Sequence, residues 1–110
     1  MKNKLNVGWL ETVKKLESRF DRSLDLQAIL FLIGLQEIGL SHTVLTKREK
    51  LEVIHVAVCA VLAQWGYYEL EGRDKDGWPH WKKTSSLPSL KPLEEERLIK
   101  EGVISYFDQC

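Results

Sequence analysis

Two stretches decide the fold. The first is Leu24-Asp25-Leu26-Gln27-Ala28-Ile29-Leu30-Phe31-Leu32-Ile33-Gly34-Leu35-Gln36-Glu37-Ile38-Gly39. The second is Thr46-Lys47-Arg48-Glu49-Lys50-Leu51-Glu52-Val53-Ile54-His55-Val56-Ala57-Val58-Cys59-Ala60-Val61-Leu62-Ala63-Gln64-Trp65-Gly66. From Leu24 to Ile38 nearly every face of a helix is apolar, and its length favours helix over strand. Ser23 or Asp25 is placed to cap it, and Gly39 is a stop signal. In the second stretch Thr46 and Glu49 have the spacing of a capping box, and Gly66 ends the helix. Leu51, Ile54, Val58, Val61 and Trp65 form one apolar stripe, widened by Val53, Ala57, Ala60 and Leu62. Helices this apolar belong at the centre of a fold or at a subunit interface.

The cover for this pair comes from the ends of the chain. Leu5, Trp9, Val13, Leu16 and Phe20 recur at helical spacing and predict a helix over 3–20. Pro92 suits a first helical turn, and Glu94-Glu95-Glu96 suits its positive end. Leu98, Ile99, Val103, Tyr106 and Phe107 give that last helix an inner face, with Gly102 marking close contact with another helix or a kink. Between the third and fourth helices, Tyr67 to Glu71 alternates as a short strand. Asp76-Gly77 signals a hairpin, and Trp78 to Lys82 returns as an edge strand, where Pro79 is tolerated. Ser85, Ser86, Pro88 and Ser89 mark a linker before Pro92.

The expected architecture is mainly α: a four-helix bundle-like domain spanning 1–110, with a short aromatic-rich β-hairpin and loop inserted at about 67–91. Two amphipathic helices are short cover for two apolar ones, so a homodimer is expected. The pattern resembles that of small bacterial proteins, a resemblance that implies no mechanism.

Composition narrows the function. The chain has 110 residues, and its 16 Lys and Arg balance its 16 Asp and Glu. Zero net charge removes the electrostatic footprint of a nucleic-acid binder. Residues 1–24 carry six bases against three acids, and residues 91–110 carry three against five. These opposite balances favour packing of the two ends on each other or on copies, subject to screening. The apolar runs are too short to span a bilayer, which takes about 20 residues, and no secretory signal is visible. Cys59, in an apolar run, and Cys110, expected to be exposed, do not make a disulfide framework. A cytoplasmic location is the simplest expectation.

Four constellations carry candidate chemistry. Glu52-x-x-His55, with Glu37 on the neighbouring helix, is the kind of carboxylate and imidazole set that helical metal proteins use. An antiparallel hairpin of the two helices puts Glu37 level with about residue 47, leaving Glu52 about 7 Å further along. Without a second copy to supply the missing ligands, Glu52 reads as solvated and His55 as a core-edge histidine. Asp74-Lys75-Asp76-Gly77 follows part of a calcium-loop pattern, but Gly72 and Lys83 would occupy its first and twelfth positions, so it reads as a turn. The order of helices followed by a hairpin matches a winged helix, with Arg73, Lys75, Lys82 and Lys83 on the wing. The apolar third helix is unsuited to a DNA groove, so nucleic acid is an unfavoured partner.

The fourth constellation is Trp65, Tyr67, Tyr68, Trp78, His80 and Trp81, six rings within seventeen positions. Such rings seal a bundle end or anchor a partner. There is no phosphate-binding glycine loop and no G-x-S-x-G nucleophile. The sequence therefore points to a non-enzymatic, protein-interaction or assembly module, with Tyr67, Tyr68, Trp78, His80 and Trp81 as its partner surface and no cofactor. A metal-binding role for Glu37, Glu52 and His55 is the alternative, and a winged-helix DNA binder the less favoured one.

Overall fold

The computed structural model describes residues 4–20, 23–39 and 44–108. They form four helices, α1 (Lys4–Phe20), α2 (Leu26–Ile38), α3 (Lys47–Ala63) and α4 (Pro92–Asp108), with strands β1 (Tyr68–Arg73) and β2 (Pro79–Lys83) between α3 and α4. The mainly helical expectation and the position of the hairpin agree with this. Asp21 and Arg22, which follow the first helix in sequence, and Cys110 lie outside the described residues.

The helix ends follow their local chemistry. Asp25, rather than Ser23, caps α2, its carboxylate accepting the Ala28 N–H at 2.8 Å. The helix thus begins at Leu26, two residues later than its apolar run suggests. Leu24 is buried instead and tethered to α1, its N–H donating to Glu17 Oε2 at 2.8 Å. Gly39, at φ 90°, closes α2. The Thr46–Glu49 capping box is present in both directions. At the far end of α3, the Gly66 N–H bonds Ala63 O and the Tyr67 N–H bonds Leu62 O, with Gly66 at φ 80°. This is the Schellman pattern of helix closure. It turns the chain back along α3, so the hairpin lies against the helix it follows.

The principal helix contacts run in a row, α2 on α3, α3 on α4 and α4 on α1, and both strands pack on α3. The molecule measures 46 × 38 × 25 Å. Side chains from all four helices share one core: Leu16, Ile29, Leu30, Ile33, Ala57, Val61, Leu62, Ile99 and Val103, with Leu24. A smaller cluster joins Ile38, Val53 and Val56, against which Phe31, Leu35 and Trp78 pack. The opposite charge balances of the chain ends coincide with a real contact, since α1 lies on α4, where Lys100 Nζ sits 5.3 Å from the centre of the Trp9 ring.

Two glycines set how close the central helices come. A Cβ on Gly34 would run into the carbonyl oxygen of Val53 and stand 2.6 Å from its Cγ1. A Cβ on Gly102 would stand 3.1 Å from Val61 Cβ and 3.2 Å from Val61 O, which makes Gly102 the close helix contact its position suggested. The Gln64 side chain reinforces the second crossing, donating to Val61 O at 2.7 Å and to Gly102 O at 2.8 Å.

The two positions should respond differently to alanine. Replacing a mid-helix glycine with alanine gains up to about 1 kcal/mol of helix propensity, whereas overpacking costs about 1–3 kcal/mol or more. At Gly34 the obstacle is backbone, so Gly34→Ala should lower the unfolding free energy by about 2 kcal/mol or more. At Gly102 the contact is tight without being impossible, and Gly102→Ala should stay within about 1 kcal/mol of the parent. Urea denaturation followed by circular dichroism checks the order; equal effects would show that Gly34 is not a limiting contact.

Candidate functional site

The hairpin is built around one side chain. Asp74 N–H bonds Trp78 O and Gly77 N–H bonds Asp74 O, enclosing a three-residue loop, Lys75-Asp76-Gly77, with Gly77 at φ 88°. This is longer than the two-residue turn that Asp76-Gly77 alone suggests, and Gly77 supplies the left-handed residue with which three-residue hairpin loops close. Asp74 Oδ1 accepts the N–H groups of Asp76 and Trp78 at 2.9 and 3.0 Å, and Oδ2 lies 3.1 Å from His80 Nε2. The bond to His80 first, then those from Trp78 and Asp76, hold the Asp74 carboxyl below its ordinary value of 3.8. The strands pair Tyr68 with Lys83 and Leu70 with Trp81, and a bulge before Gly72 leaves Glu71 without a partner across the ladder.

Folding back along α3, the hairpin leaves a cleft of about 430 Å³ between itself and that helix. Glu49, Glu52 and His55 line one wall; Asp74, Asp76, Trp78, His80 and Trp81 line the other. Three of the five ring residues expected to form a partner surface therefore share this cleft. Tyr67 and Tyr68 do not line it: they pack against the main core, and Tyr68 borders a smaller cleft with Leu87 and Leu90 of the linker. Trp65, 40% exposed, meets Tyr67 edge-on, their ring centres 6.3 Å apart. Burial first, then the nearby Cys59 and Glu95, raises the Tyr68 hydroxyl above its usual value of 10.0. The ring cluster is thus divided into a half packed on the core, Tyr67 and Tyr68, and a half lining the cleft, Trp78, His80 and Trp81.

Trp78 also packs on Ile38, Val53 and Val56, and Pro79 is buried at the start of β2, which fits a residue without an N–H. The Trp81 indole N–H is buried and has no acceptor, unlike every other buried side-chain nitrogen or oxygen among the described residues.

The residues of the metal reading sit apart in their bonding. Glu37 Oε2 accepts the Tyr106 hydroxyl at 2.7 Å, a tie between α2 and α4. His55 Nε2 lies 3.5 Å from Cys59 Sγ, one turn along α3. Among the described residues no three His, Cys, Asp or Glu side chains come together as a metal-ligand group, so Glu37, Glu52 and His55 do not form one set within a single copy. Cys59 is a fully buried free thiol, pushed up to about 11 by that burial. It is protonated near neutral pH, and the His55–Cys59 pair is not an activated nucleophile. The basic residues Lys47, Arg48 and Lys50 are exposed at the start of α3, while its middle is buried between α2 and α4.

Glu49 is a cleft residue outside the four constellations, and Asp74 and Asp76 line the cleft although their calcium-loop resemblance resolves to a turn. Glu49 continues the Glu52–His55 spacing by one turn, a signal hidden by its capping role. No protein-family model, curated protein or solved structure matches the chain.

Asp74 should control the hairpin without controlling the helices. Asp74→Ala should change the tryptophan emission and speed amide exchange over 75–78 while far-ultraviolet circular dichroism keeps its helical signal. Because the folded-state carboxyl lies below 3.8, its stabilising effect is complete above that pH and fades as pH falls through the lower folded value. Acid titration of the tryptophan signal checks this, and an identical acid transition in Asp74→Ala would show that Asp74 is not the group responsible.

Proposed function

We propose that the protein is a non-enzymatic, peptide-binding interaction module whose binding site is the cleft between α3 and the hairpin. The observation that carries this is the cleft itself: Trp78, His80 and Trp81 are presented on a hairpin braced against a rigid helix, facing polar residues of that helix. Concave sites with ring walls and a few polar groups are where proteins commonly hold ligands, and Trp is prominent at interface hot spots. The Asp74 clamp preorganises the hairpin wall, which lowers the ordering cost of binding.

An unbiased peptide-display selection against the folded protein tests the proposal. Selected peptides should protect the cleft in hydrogen exchange and lose binding to an Asp74→Ala/His80→Ala variant that keeps its helical content. Peptides that map consistently to another face, or a selection that yields none, would sink it.

A second reading concerns assembly. No charged residue lies between Leu26 and Gln36, and α3 is the principal neighbour of α2. The half-buried Phe31, Leu32 and Leu35 are the side chains a second copy would cover, closing the row of helices into a bundle-like dimer. Light scattering should give twice the monomer mass at micromolar concentration, and Leu32→Glu should halve it; a monomer at that concentration would end this reading.

A further inference from the structure

We propose that a separate cleft, between α1 and the end of α4, binds a phosphate monoester that carries free hydroxyl groups, of the sugar-phosphate kind. This cleft holds about 260 Å³ and shares no residue with the one between α3 and the hairpin. The deciding group is Thr12. Of the hydroxyl, amide and charged side chains among the described residues, Thr12 alone is buried as a whole, at 8% exposure. Its hydroxyl makes no hydrogen bond to another described residue. A hydroxyl on the inner face of a helix is costly unless something bonds it, and a valine would fill the same space without that cost. Unlike the Trp81 N–H, this hydroxyl is not sealed off, and Thr12 lines the cleft beside Leu16 and Phe107.

The charges around that hydroxyl select the ligand. Lys15 and Arg19 line the same cleft and follow Thr12 at helical spacing, one turn after another. Neither forms an ion pair among the described residues, and neither does Asp108, the acid that α4 brings to the cleft. One hydroxyl, one ammonium and one guanidinium thus border one space. They suit a group with three free oxygens and more than one negative charge, which a phosphate monoester has and a carboxylate lacks. The guanidinium fork also matches phosphate oxygens in pairs. Asp108 and the last carbonyls of α4 bring acceptors to the same space, and these disfavour a bare anion. A ligand must therefore supply donors as well as charge. Sugar hydroxyls supply them to Asp108, while the C–H faces of a sugar ring pack on Phe107 and Leu16.

The test titrates the full, isotopically labelled chain and follows its amide resonances. The probe is glucose phosphorylated on its primary hydroxyl; glucose, inorganic phosphate and N-acetylglutamate are the comparisons. The hexose phosphate should shift residues 12–19 and 107–108 saturably. Each comparison lacks the charge, the hydroxyls or the third oxygen, and should bind at least about tenfold more weakly. Lys15→Gln with Arg19→Gln should weaken the hexose phosphate by about tenfold or more. Both side chains are exposed, so circular dichroism and the melting midpoint should hold. Thr12→Val should also weaken it by about tenfold, whereas Thr12→Ser, which keeps the hydroxyl, should bind as the parent does. Raising salt should lower the affinity. No saturable shift with the hexose phosphate, shifts that map to another face, or equal binding of inorganic phosphate or N-acetylglutamate would each overturn the proposal. Full binding by the Lys15 and Arg19 double variant, or equal affinity of Thr12→Val and Thr12→Ser, would overturn it too. The peptide-binding reading concerns a different cleft and stands or falls separately.

Discussion

The structure depends on how closely α3 is gripped. Gly34 on one side and Gly102 on the other let α2 and α4 approach the backbone of a single helix, at Val53 and Val61 respectively. Backbone contact of this kind fixes both position and rotation, because a side chain at either glycine would hold the helices apart. Fixing α3 in turn fixes everything mounted on it. The same helix supplies the buried Val53, Ala57, Cys59 and Val61, the exposed Glu52 and His55, and the platform on which both strands rest.

The hairpin inherits its place from the end of that helix. The Gly66 closure sends the chain back along α3, and Asp74 then gathers the turn with three bonds from one carboxylate. Two local devices, neither of them large, therefore put Trp78 and Trp81 opposite Glu49 and Glu52. The cleft is a geometric result of a helix stop and a turn clamp acting at the two ends of β1.

Much of the fold was legible in the sequence. The periodicity of Leu5 to Phe20, the Thr46–Glu49 box, Gly39 and Pro92 each name an element or its limit through chemistry confined to a few neighbouring residues. The limits that shifted did so for tertiary reasons. Leu24 left the helix it seemed to start because Asp25 is the better cap and because Leu24 has a core site and a bond to Glu17. The site was less legible. Trp78, His80 and Trp81 could be found from ring density, but Tyr67 and Tyr68 read the same way until packing on the main core assigned them to other neighbours. Glu49, Asp74 and Asp76 each have a local task that accounts for them, and only the fold-back of the hairpin shows that they also share a space. Glu37 looked like a spare carboxylate until Tyr106, 69 positions away, supplied its partner.

The row-like arrangement has a mechanical consequence. A body 25 Å through its thinnest dimension, with one helix at the middle of its contacts, shares one core among four helices and depends on that helix to hold it together. Each outer rod leans chiefly on one neighbour, α2 on α3 and α1 on α4. Withdrawal of the middle rod leaves the others with little in common. Such a body is brittle along its spine.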